Sequence, residues 1–183
     1  MITAGGWLID TDVDARTTLG RMARFCRNAL RDPRVIYAGN QVIAAAPARD
    51  LEAQVAAIAG FLESTFKFVP NPFGTQTIRP PGWTGDDRAP GMLEDIENRG
   101  MTQGACDDAA VLIATLAMAN GIHARFRALA YCYQLDGACD PTVSYSHVVC
   151  DVDAGDAWQE LDVTRPHDGT RPAAVVRTLT YDL

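Results

Sequence analysis

The order of the patterned segments, helices first and strands second, predicts an α+β fold with N-terminal helices and a buried central helix packed on an antiparallel β-sheet. Three observations carry this reading. Apolar residues recur at helical spacing between residues 12 and 66; residues 106–120 form a run with almost no polar face; and residues 124–163 fall into three alternating segments separated by turn-forming residues.

The first helix is expected over residues 12–30, where Val13, Leu19, Met22, Phe25, Cys26 and Leu30 lie near the helical period, and Pro33 is expected to end it. A second is expected over residues 50–66, with Leu51, Val55, Ile58, Ala59 and Leu62 on one stripe after Pro47. Five prolines and four glycines in residues 70–91 disrupt both helix and strand periodicity and predict a long loop. Loops of that length often carry function, so Phe73 and Trp83 are candidates to wall a substrate cleft.

A short helix is expected over residues 92–98, stopped by Gly100, and a longer one over residues 106–120, stopped by Gly121. Three strands are then expected over residues 124–134, 143–152 and 157–163 as an antiparallel meander, and a last strand over residues 174–181. The length suits one domain over residues 1–183: a helical part (1–69), the Pro/Gly-rich loop (70–91) and a catalytic core (92–183).

A formal charge of -7 argues against a sequence-independent grip on nucleic acid or on an anionic membrane. No apolar run approaches the roughly 18 residues that span a bilayer, and no basic flank precedes a hydrophobic stretch at the N-terminus, so a cytoplasmic location is expected. The five cysteines, without CxxC spacing, are expected to be reduced thiols. Cys132, Cys139, His147 and Cys150 match no familiar zinc spacing, so neither metal nor cofactor is expected.

Cys106 falls at the predicted start of the buried helix, where unpaired N–H groups and the helix dipole favour a thiolate nucleophile. Asp107 and Asp108 follow at once and oppose that charge, so the chemistry requires a cationic partner. The hairpin supplies one: a turn centred on Ala154 and Gly155 places His147 directly opposite Asp162 on one face. Asp162 then orients the imidazole and leaves its other nitrogen for the thiol, with Glu160, diagonal to His147, as the weaker alternative. Alternation turns Cys150 away from His147; Cys26 and Cys132 read as core thiols, and His123 and His167 are not preferred as the base.

On these residues the sequence resembles the transglutaminase-like superfamily, in its bacterial and bacteriophage members. GACDDAAVLIATLAMANGIHARF resembles the nucleophile segment, YSHVVCDV the histidine strand and WQELDVT the aspartate strand. The resemblance implies a papain-like core and a Cys-His-Asp triad of Cys106, His147 and Asp162. The chain departs from the family pattern at Ala105, Val148 and Val163. A papain-type oxyanion glutamine would fall at Gly100, which leaves Gln103 as a weak substitute and, with Trp83, as a candidate substrate-binding residue.

The expected activity is hydrolysis or acyl transfer on a protein or peptide amide through an acyl-enzyme. The alternative from another class is a non-catalytic assembly protein on the same fold, in phage or prophage morphogenesis.

Overall fold

The computed structural model describes residue 9 and residues 11–70, 77–86, 89–132, 142–164 and 174–183. It is α+β, with five α-helices and a four-stranded antiparallel sheet among these residues.

Helix α1 (Asp12–Ala29) begins where the Thr11 hydroxyl accepts from the Asp14 N–H, and it buries Leu19, Met22, Ala23 and Cys26. Pro33 closes nothing: it is the first residue of a further helix, α2 (Pro33–Val42), whose N-cap Asp32 accepts from the Arg34 N–H. Proline needs no donor in a first helical turn, so the same ring that ends one helix opens the next. Gly39 brings α2 against the central helix, because a Cβ there would meet the Ala119 Cβ at 2.7 Å. Helix α3 (Leu51–Thr65) is capped by Asp50 and buries Val55, Ile58 and Leu62 on its expected stripe.

Strand β1 (Phe66–Phe68) follows directly and pairs in parallel with β2 (Thr102–Gly104), a small sheet that the sequence patterns do not reveal. The described parts of residues 70–91 form neither helix nor strand, while Phe73 lies outside the described residues. Helix α4 (Met92–Arg99) ends at Gly100, whose φ of 77° suits glycine. Helix α5 (Cys106–Ala119) is the structural centre, with Cys106 through Ala117 all buried. Leu112, Ile113 and Leu116 lie in its core, each contributing about 1.5–3 kcal/mol by burial.

The main sheet has the order β5-β4-β3-β6, from β3 (Ala124–Cys132), β4 (His147–Asp153), β5 (Trp158–Leu161) and β6 (Ala174–Asp182). The expected meander is present, and the last strand returns beside β3. One face gives Phe126, Ala128, Ala130, Val148, Cys150 and Val152 to the common core with α5. The other face carries Asp151, held by Arg125 (3.1 Å) and Arg127 (2.8 Å).

The hairpin register differs from expectation. Its turn centres on Gly155 and Asp156, with Ala154 N–H donating to the Ala157 carbonyl (3.0 Å), and Asp151 pairs with Glu160. The strands are therefore offset by two residues. The cause is an Asx turn: the Asp153 carboxylate accepts from Gly155 N–H (2.9 Å), and Gly155 takes a φ of 101° that favours glycine.

Cys26, Cys106 and Cys150 are free, but Cys132 is disulfide-bonded, which corrects the expectation of reduced thiols throughout. An odd cysteine count leaves room for a pair, and Cys132 stands at the end of β3, next to residues outside those described; Cys139 is among the latter. Among the described residues no helix is long and apolar enough to cross a membrane.

Candidate active site

The site is built where α5 begins and β4 begins. Alternation within α5 plays no part in positioning Cys106; it occupies the first helical residue and is 6% exposed. Its backbone N–H, like the others in a first helical turn, has no partner inside the helix. Two residues on, Asp108 folds back to cap that end: its Oδ2 accepts from Ala105 N–H (3.1 Å) and its Oδ1 from Arg79 N–H (2.7 Å).

The Arg79 guanidinium holds the surroundings of this cap together. One nitrogen donates to Thr102 Oγ1 (3.0 Å) and the Gln103 carbonyl (2.8 Å), the other to the Pro90 carbonyl (2.8 Å) and Asp95 Oδ2 (2.6 Å). Asp95 is only 6% exposed, so this ion pair is largely withdrawn from water. The Pro-rich loop, α4 and β2 are thus fastened to the residue that caps the helix under Cys106.

His147 is 8% exposed, and its Nε2 lies 2.8 Å from Asp162 Oδ2. The β-register places Asp162 diagonally from His147 instead of directly opposite. A two-residue offset preserves the face, and a diagonal neighbour is still within side-chain reach. The other Asp162 oxygen accepts from both the N–H and the hydroxyl of Thr164 (2.9 Å each), so the carboxylate is fixed at both ends. Tyr131 stacks on the imidazole with 5.7 Å between ring centroids.

The Cys106 thiol is the other group whose proximity acts on the imidazole of His147. Burial disfavours the imidazolium, but the hydrogen bond to Asp162, with the proximity of Cys106, outweighs it and raises the His147 pKa to about 10. Burial likewise works against an ionised Asp162, yet His147 and Thr164 hold its carboxyl below the usual range. Asp107 is different: burial, and then the charge of Asp108, push its carboxyl up to about 7. Its Oδ2 is buried without a hydrogen-bond partner among the described residues.

Glu160 pairs across the strands with Asp151 and reaches Arg127 (2.6 Å), away from His147. Cys150 faces the core, where burial raises its thiol well above the ordinary range; burial likewise pushes Cys26 up to about 12. Among the described residues no group of three or more His, Cys, Asp and Glu side chains is placed to hold a metal.

Trp83 is not gathered into this constellation. Its indole N–H donates to Glu97 (2.7 Å), and Arg34 lies over its ring. Gln103 is exposed on β2 and borders a cleft of about 740 Å³ with Lys67, Val69, Arg79, Arg99 and Asp108. The positioning roles of Arg79, Asp108 and Thr164 were missed by sequence reasoning. The third position of a helix and the D-x-T spacing are signals for the latter two, whereas nothing in a Pro-rich loop singles out Arg79.

The fold is similar to that of a solved structure described as a putative protease. That structure, from Parabacteroides distasonis, matches with a TM-score of 0.56 at 14% identity, over 91% of this chain. A putative cysteine protease from Cytophaga hutchinsonii aligns with a TM-score of 0.46 at 18% identity over 88% of this chain. The chain spans only 29% and 51% of those two proteins. No protein-family model matches the chain, and no curated protein matches it.

Proposed function

We propose that this chain is a cysteine-dependent amide hydrolase or acyl transferase acting on a protein or peptide, with Cys106 as nucleophile, His147 as acid and base, and Asp162 as the group that orients the histidine. The observation that carries the reading is one buried imidazole bonded to a carboxylate fixed at both ends, with the thiol at a helix start beside it. The likeness of the pattern to transglutaminase-like proteins agrees with it.

In this reaction the Cys106 sulfur attacks the amide carbonyl, a C–S bond forms, and the carbonyl oxygen becomes an oxyanion facing the backbone N–H of Cys106. The imidazolium of His147 gives its proton to the leaving nitrogen, the C–N bond breaks, and a thioester remains. Water then attacks the thioester while His147 takes its proton, and the C–S bond breaks to release the acid. An amine in place of water completes a transfer instead. The cleft bordered by Gln103 adjoins the strand that leads into Cys106 and is the proposed path for substrate.

Iodoacetamide at pH 6, followed by peptide mass spectrometry, tests the assignment. Cys106 is expected to be labelled first, and His147→Ala is expected to slow it at least about tenfold with the circular dichroism unchanged, the size usual for loss of a general base or ion-pair partner. Asp162→Asn should slow it less, because the imidazole remains. Equal rates for wild type and His147→Ala would leave the chain as a non-catalytic protein on this fold.

A further inference from the structure

The solvent side of α1 carries a row of arginines that the proposed reaction does not use. Arg16, Arg21, Arg24, Arg27 and Arg31 are all exposed and border one groove of about 500 Å³. Among the described residues none of the five makes an ion pair or a side-chain hydrogen bond. The contrast with other arginines is sharp: Arg34, Arg79, Arg99, Arg125, Arg127 and Arg177 each reach a carboxylate within 4 Å.

Helical geometry makes this a single surface. At about 3.6 residues per turn, Arg16, Arg24 and Arg27 fall within roughly a quarter of the circumference and span about 16 Å along the axis, and Arg31 follows just past the helix end. Gly20 falls in the same row. Tyr181 of β6 stands behind it, 3.4 Å from where a Cβ would lie, so the missing side chain leaves the groove open between arginines. Asn28 and Thr17 complete the lining, and no carboxylate contributes to it.

We infer that this groove binds the phosphodiester backbone of a nucleic acid. Five guanidiniums uninterrupted by any carboxylate call for a ligand of equally unbroken negative charge, and a phosphate polymer repeats one charge per unit. Each guanidinium fork matches two phosphate oxygens. A bilayer is the poorer fit: Leu19 and Met22 of α1 are fully buried in the core, and the exposed Val13 at the start of the helix is a small anchor for insertion. A basic row along one helix is also the usual electrostatic footprint of phosphate binding.

The net charge of -7 opposes nucleic acid on average, whereas this row sets the local field. The acidic remainder keeps the polymer from wrapping the protein, so contact is confined to the groove, independent of base sequence and sensitive to salt.

Anisotropy of a fluorescent 15-nucleotide oligothymidine between 20 and 200 mM NaCl tests this. Three to five neutralised phosphates predict a slope of log K against log salt of about -2 to -4. Arg27→Glu should weaken binding about tenfold and Arg24→Glu/Arg27→Glu should abolish it. Arg49→Glu, the same single change of net charge at an exposed site outside the groove, should have little effect. Labelling of Cys106 at pH 6 should be unaltered in all three variants, which keeps this inference separate from the proposed reaction. Three results overturn it: no binding at 20 mM salt, equal losses in Arg27→Glu and Arg49→Glu, or retention of polyglutamate or phosphatidylserine vesicles in place of the oligonucleotide.

Discussion

Asp107 is a buried carboxylate with little compensation: one oxygen accepts from Asp108 N–H (3.1 Å) and the other has no partner among the described residues. Its pKa of about 7, raised by burial and by Asp108, means that ionisation costs the native state free energy as pH rises from about 4 towards 7. Asp107→Asn removes that cost. The variant is expected to be more stable than wild type by at most about 4 kcal/mol at pH 8 and by much less at pH 5, as read by urea denaturation. His147 has the same direction of shift and the opposite charge. A raised pKa in a base means stability that is complete below about pH 6.5 and lost as pH climbs through about 10. His147→Gln should flatten the stability profile across that window. At this scale Cys106, His147 and Asp162 could be picked out as candidates because their residue types announce their chemistry, and the His147–Asp162 contact was legible from the hairpin. Arg79 and Thr164 were not, since an arginine in a loop and a threonine after a strand acquire roles only through the partners that folding brings to them.

Among the elements, the junction of β2 with α5 is the most tightly constrained. A Cβ on Gly104 would overlap the Asp108 carboxylate that caps the helix. Gly104→Ala is therefore expected to displace the cap, lower stability by about 1–3 kcal/mol and slow labelling of Cys106, checked by thermal melting and the pH 6 alkylation rate. Arg79→Met should cost about 3–5 kcal/mol, because Asp95 is left charged and nearly buried without its main partner. The helices other than α2 were readable from apolar spacing and glycine stops: Gly100 and Gly121 stand where a glycine suits a helix end. α2 was hidden by Pro33, whose ring has one meaning inside a helix and another at its start. β1 and β2 are each three residues long, too short to show any period.

For the molecule as a whole, α5 joins two layers. It packs against the helices on one side and the sheet on the other, so its side chains face protein all round and Leu112→Ala should destabilise by about 2–5 kcal/mol in urea. Helices before strands sufficed to predict this α+β arrangement. What the pattern lacked was long-range information: that β6 returns to lie beside β3, and that Cys132 is disulfide-bonded, depend on which distant segments meet.

The two-residue offset of the β4–β5 hairpin also bears on how such a chain tolerates insertions and deletions. Side chains alternate between faces, so lengthening or shortening the turn after Asp153 by an even number of residues keeps Asp162 on the His147 side, whereas a single-residue indel carries it through the sheet to the other side. Turn length there is free to drift only in steps of two, and a descendant with an odd change would need another residue, one place along, to supply the carboxylate.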